Sequence, residues 1–278
     1  MSTDILASLI ADPHQSSRHV AEIKGTCHQS VLKILKQHRF HPYKIQRHQT
    51  LSDDDFDRRI EFCEWALQKF DNNPYFPRDI IFSDEASFSV NGEVNKQNFR
   101  FWKQDNPHWS ENVNLQGSPK IMVWCAIWNK RLIGPFFFND SVTGESYLHM
   151  LVNDFLPAIQ DLKTLDTYFQ QDGAPAHYSL EVRTFLDKNF NGRWIGRRGS
   201  VEWPPRSPDI TPLDFFLWGY LKSKVFVNRA LTLDELRQKI TQQCQQIPAE
   251  MFKNVQESWI NRLRCCILQH GEQFEHLL

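Results

Sequence analysis

Three aspartates, Asp84, Asp172 and Asp214, sit where side chains could do chemistry. Asp84 ends the run Asp79-Ile80-Ile81-Phe82-Ser83, which reads as a buried strand. Asp172 ends a second strand-like run, Thr167-Tyr168-Phe169-Gln170-Gln171, and Gly173-Ala174-Pro175 breaks it at once. Asp214 follows a proline-studded loop and opens the helical stretch from Phe215 to Val225. A single aspartate at such a place is most simply a cap. Three from three elements could together hold two divalent cations, and paired Mg²⁺ ions serve many enzymes that cut and join phosphodiesters. Hard oxygen ligands suit Mg²⁺ or Mn²⁺ rather than zinc. That chemistry would make the chain a DNA-processing enzyme.

These residues need a scaffold. Ile80 to Val90 reads as a strand ending at the hairpin dipeptide Asn91-Gly92. Phe99 to Trp102, Lys120 to Trp128 and Leu132 to Phe138 read as further strands, the last two joined by a tight turn at Asn129-Lys130-Arg131. A helix follows over 144–162, with Tyr147, Leu148, Leu151, Val152 and Phe155 inward. Then come the Asp172 strand and a helix from Ser179 to Phe190. The order predicts an α/β fold, a mixed sheet flanked by helices, whose strand-end carboxylates converge at one edge, where ligands bind in such architectures. From Leu231 onward the chain reads as helical. Thr232 and Glu235 form a capping box, and Phe252, Val255, Trp259 and Leu263 make an apolar stripe whose default role is core packing.

A different module precedes this body. Residues 1–50 hold seven Lys/Arg against three Asp/Glu, a local surplus of +4 in a chain of net charge −1. A basic arm on a mildly acidic body fits a DNA-binding unit joined to a metal-binding core. Ile5, Leu6, Leu9 and Ile10 share a helical face, and Asp12-Pro13 ends that helix. Ser16 or Ser17 can cap a second helix through Val20, Ala21 and Ile23. Gln29 to His38 forms a third, with Val31, Ile34 and Leu35 inward. The spacing Ala21, Gly25, Val31, Ile34 matches a helix-turn-helix, although Lys24 occupies a place that is usually apolar. His28, Gln29, Ser30, Lys33 and Lys36 are the exposed candidates for DNA contact. Arg39, Lys44 and Arg47 lie in a basic extended stretch that could follow a groove or serve as a linker. Residues 51–78 read as a bridging helix, with Ser52 as cap, Asp53 to Asp55 at the positive end of its dipole, and Phe56, Ile60, Cys63, Leu67 and Phe70 as the packing stripe.

Hydrophobic residues make up 41% of the 278 and charged residues 23%, an ordinary globular balance. Six cysteines show no zinc-ligand spacing. With no signal peptide and no run near the ~20 apolar residues that span a bilayer, we expect no membrane association and reduced thiols.

The surroundings of the three aspartates carry a specific resemblance. Asp84-Glu85-Ala86-Ser87-Phe88, Gln171-Asp172-Gly173-Ala174-Pro175-Ala176-His177, and Ser207-Pro208-Asp209-Ile210-Thr211-Pro212-Leu213-Asp214 resemble the three catalytic motifs of the Tc/mariner superfamily of DNA transposases. Residues 5–38 resemble that family's second helix-turn-helix. The resemblance implies an RNase H-like catalytic domain over 79–278, preceded by an all-α helix-turn-helix module over 1–50. It also implies two Mg²⁺ or Mn²⁺ ions held by Asp84, Asp172 and Asp214, with Asp209 in the motif but not a ligand. Cut-and-paste transposition, binding of terminal inverted repeats and target duplex DNA, a homodimer and a nuclear location follow as expectations. The chain departs from the pattern in three ways. Forty-one residues separate Asp172 from Asp214, longer than is typical. The third acid is Asp, as in mariner-like members. One helix-turn-helix fits where two are usual, so the chain reads as truncated at its start. A domesticated DNA-binding protein without catalysis is the alternative.

Several neighbours keep two readings. His177 could touch substrate phosphate, but a supporting or capping role suits it better, because hard metals prefer oxygen. Glu85 points away from Asp84 if the strand continues, and reads as solvated or salt-bridged. Arg193, Arg197 and Arg198, with Trp194 and Trp203, form either phosphate contacts and a stacking surface for DNA or a plain basic loop.

Overall fold

In the computed structural model, residues 2–11, 17–40, 50–90, 119–227 and 230–278 are described. The expected hairpin turn at Asn91-Gly92, the strand Phe99 to Trp102, the helix stop at Asp12-Pro13, and Lys44 and Arg47 lie outside them. The chain forms two compact units, Met1–His48 and Gln49–Leu278.

The first unit holds three helices, α1 (Ser2–Ala11), α2 (Ser17–Ile23) and α3 (His28–Gln37). Ile5, Leu9, Val20, Ala21 and Val31 form its core, with Ile34 and Leu35 packed against it. Gly25 has φ +59°, the left-handed turn that glycine adopts without strain, and the Cys27 sulfur caps α3 by accepting the Ser30 N–H. Ile10, expected on the face shared by Ile5 and Leu9, is 69% exposed, and Ile23 is 55% exposed.

The second unit is built on a five-stranded sheet of order β3-β2-β1-β4-β5, formed by β1 (Ile80–Ser89), β2 (Lys120–Trp128), β3 (Arg131–Phe138), β4 (Tyr168–Gln170) and β5 (Trp194–Ile195). The first three strands are antiparallel, and β4 and β5 add in parallel. The β2–β3 turn is two residues, Asn129 and Lys130, both at positive φ, the pattern of a type I′ hairpin. Arg131, expected in that turn, is the first residue of β3. Strand β5, at Trp194, replaces the loop read there.

Helices cover both faces. On one lie α4 (Asp53–Asn72), the short α5 (Phe76–Asp79), and, later in the chain, α9 (Gly219–Val225), α10 (Leu233–Gln245) and α11 (Ala249–Leu268). They pack on Ile80, Phe82, Ala86 and Phe88 of β1 and the odd-numbered apolar residues of β2. The other face carries α6 (Gly144–Met150), a π-helical turn over Leu151–Phe155, α7 (Leu156–Ile159) and α8 (Leu180–Asn189), packed on Ile81, Trp124 and Ala126. The π turn shifts the helical phase, so Val152, expected inward, is 42% exposed.

The helix expected to bridge the units belongs to this second core. Phe62, Cys63 and Ala66 of α4 are buried in it. Its inner stripe is rotated from the apolar one read in the sequence, because Asp55 and Arg59 are buried too. Phe252, Val255, Trp259 and Leu263 are core residues of α11. Among the described residues no helix is long and apolar enough to cross a membrane.

Candidate active site

Sheet register brings Asp84 and Asp172 together. Strands β1 and β4 are parallel, with Phe82 opposite Gln170, so each aspartate lies two residues past a matched position. The Ser83 hydroxyl donates to the Gln170 carbonyl at 2.7 Å and fixes the junction. Asp214 arrives on a π-helical segment, Leu213–Trp218, that packs on β1 and β2. All three line one open cleft of about 570 Å³, whose walls include Ser83, Arg58, Arg197, Arg206 and Trp203.

Alternation along β1 divides the surroundings. Asp84, Ala86 and Phe88 share a face. The Trp218 indole N–H donates to Asp84 Oδ2 at 2.7 Å, and the same indole meets the Phe88 ring edge-on at 6.3 Å. Glu85 points the other way and meets His177, Oε1 to Nε2 at 3.1 Å. The His177 Nδ1 lies 2.5 Å from Asp172 Oδ1, and its ring packs on Tyr147 at 4.3 Å. The Asp172 loop is further fixed by the Ala174 N–H to Asp172 Oδ1 and by Gln171, which donates to the His177 carbonyl and accepts from the Tyr147 hydroxyl.

The electrostatics follow this division. Burial and then the charges of Asp214 and Glu85 push Asp84 well above the usual carboxylate range. Desolvation and then the Asp172 charge raise Asp214 to about 7. For Asp172, desolvation acts upward, but hydrogen bonding to His177 and its charge win, and the carboxyl is held low. His177 resists desolvation for the same reason: the two carboxylates raise it to about 10, which favours the imidazolium form.

An all-carboxylate donor set whose members repel one another fits hard divalent cations. Among the described residues no group of three or more His, Cys, Asp or Glu side chains is clustered closely enough to hold one ion together.

Arg59 fixes the loop before Asp214. Its fully buried guanidinium forks onto Asp209 at 2.8 and 2.6 Å, donates to Ser207 Oγ at 2.9 Å, and donates to the Gly271 carbonyl at 2.7 Å. Gly271 has φ +80°, and a Cβ there would run into the Phe56 backbone. Arg206 pairs with Asp55, whose Oδ2 also accepts the Ser52 N–H. The sequence reading missed Arg59, Arg206 and Trp218; its available signal was two charged residues at core spacing on α4.

Trp194 and Trp203 are 2% and 4% exposed, so they are core residues and offer no stacking surface. The Trp194 indole donates to Asp187, and Trp203 packs on Phe62. Arg197 and Arg198 are exposed and lie over Tyr178 at 4.2 and 5.9 Å. In the first unit Gln29, Lys33, Lys36 and Arg39 are exposed. His28 and Ser30 are half-buried: His28 bonds to Ser17 at 2.9 Å, and Ser30 to Cys27. They hold the turn together instead of standing free.

Sheet order, flanking helices and a three-carboxylate edge define an RNase H-like domain. Two curated relatives narrow this. The transposable element Tc1 transposase of Caenorhabditis elegans is 23% identical over 287 aligned residues, 98% of each chain. The transposable element Tcb1 transposase of Caenorhabditis briggsae is 25% identical over 220, covering 75% of this chain and 74% of its own. Among solved structures, the Mos1 transposase paired-end complex with the left transposon end has a TM-score of 0.72 at 21% identity, over 99% of this chain and 80% of that one. The mariner Mos1 paired-end complex with Mn gives 0.74 at 20%, over 98% and 79%. No family profile matches the chain. In sequence and fold the chain is similar to the Tc1/mariner transposases.

Proposed function

We propose that the chain is a cut-and-paste DNA transposase whose catalytic residues are Asp84, Asp172 and Asp214. The observation that carries this reading is the convergence of the three carboxylates, distant in sequence, on one open cleft. They would hold two Mg²⁺ or Mn²⁺ ions, which when bound supply a lowered pKa for the attacking water or 3′-hydroxyl and charge neutralisation at the leaving oxygen. The chain's own residues do the rest. His177 keeps Asp172 ionised and oriented, the Arg59–Asp209 clasp holds the loop that delivers Asp214, and Arg197 and Arg198 at the rim meet phosphates. Gln29, Lys33, Lys36 and Arg39 on and just after α3 would contact duplex DNA, with transposon ends as the specific ligand and a homodimer as the acting form. The relatives named above support this assignment by their own names and complexes.

The test is strand joining of a precut element end by the purified chain with Mg²⁺ or Mn²⁺. Metal-dependent joining that disappears in Asp172→Ala is expected. Duplex binding without joining in the unaltered chain would instead mark a DNA-binding protein that does not catalyse.

A further inference from the structure

We propose that Trp218 is a positioning residue for the first carboxylate, holding Asp84 through its indole N–H so that one oxygen remains for a cation. This rests on the proposed metal-dependent reading of the cleft. Asp84 has one hydrogen-bond donor among the described side chains, the Trp218 Nε1–H at 2.7 Å on Oδ2. That contact occupies Oδ2 and leaves Oδ1 without a described side-chain donor. A ligating carboxylate fixed by an outer hydrogen bond binds metal more tightly, because its orientation is set before the ion arrives.

Geometry explains why this indole reaches the site. Trp218 lies four residues after Asp214 on the same π-helical segment, so one short stretch supplies one carboxylate and holds another. The ring is 5% exposed and rests edge-on against Phe88, which shares the β1 face with Asp84. Its apolar body is thus fixed by packing and its polar tip is aimed at the acid. Lys222, one turn further, does not take this role: its ammonium lies over the Phe88 ring at 5.7 Å.

Mn²⁺ binding to the DNA-free full chain, followed by calorimetry, tests this without any turnover. Trp218→Phe keeps the ring packing and removes only the donor, and Phe88→Leu alters the packing while leaving the N–H. Mn²⁺ should bind Trp218→Phe about tenfold or more weakly and Phe88→Leu about as well as the unaltered chain, with thermal unfolding showing both folded. Equal affinity in Trp218→Phe and the unaltered chain would overturn the proposal. So would failure of Trp218→Phe and a second variant, Trp218→Tyr, to fold, since the side chain would then be needed for packing alone. No Mn²⁺ binding by the unaltered chain would sink the metal-site reading itself, a result distinct from a variant that binds normally.

Discussion

The two sides of the acidic cleft treat their carboxylates in opposite ways. On the side of α6 and α8, Asp172 has a counter-ion built in: His177 sits between it and Glu85, charged and buried. On the side of the π-helical segment, Asp84 accepts from a neutral indole, Asp214 makes no ion pair among the described residues, and both are raised. One acid has a histidine partner within the fold, and the other two do not. A site made to bind metal must keep part of its charge uncompensated, at a cost in stability of the kind functional sites carry.

Replacing a carboxylate should break the site outright. Asp84→Ala, Asp172→Ala and Asp214→Ala should each abolish strand joining, while Asp209→Ala should act through stability. Normal joining by Asp214→Ala would move the third ligand elsewhere. The next largest effect tests the support of the uncompensated side. Arg59→Met strands Asp209 without its partner, and breaking such a buried pair costs about 3–5 kcal/mol, read as a lower urea midpoint. An unchanged midpoint would mean the clasp is dispensable.

Sharper still is a pair of isosteric changes compared in chelator. Asp84→Asn removes a repelled charge and should raise the melting temperature by about 2–4 °C, the shift that ~1 kcal/mol gives in a domain of this size. Asp172→Asn leaves His177 short of a partner and should lower it. Shifts of the same sign would erase the contrast between the two sides. The smallest effect belongs to the rim: exchanging Arg197 and Arg198 for Ala should reduce the salt slope of duplex binding by about one for each phosphate no longer neutralised. An unchanged slope would place both arginines off the DNA path.

Particular elements show how far the sequence could be read. Strand β2 and the local motifs around the three aspartates were legible, because short continuous apolar runs and turn residues are local signals. The α4 stripe was misplaced: it was read as Phe56, Ile60, Cys63, Leu67 and Phe70 and left out Asp55 and Arg59, whose burial is made tolerable chiefly by the distant partners Arg206 and Asp209. Trp194 and Trp203 kept two readings in the sequence, a stacking surface for DNA or part of a plain basic loop, and strand β5 and helix α4 bury them instead. Val152 turned outward because a π turn broke the helical period that placed it inside.

Sequence by itself picked out the candidate residues and the approximate elements that carry them, since side-chain type and local periodicity are properties of neighbours along the chain. Tertiary structure alone decided how those residues are supported. The Trp218 indole on Asp84, the imidazolium between Asp172 and Glu85, and the arginine beneath Asp209 join segments 92 to 150 residues apart. Such partners are chosen by sheet register and packing, which no local pattern encodes.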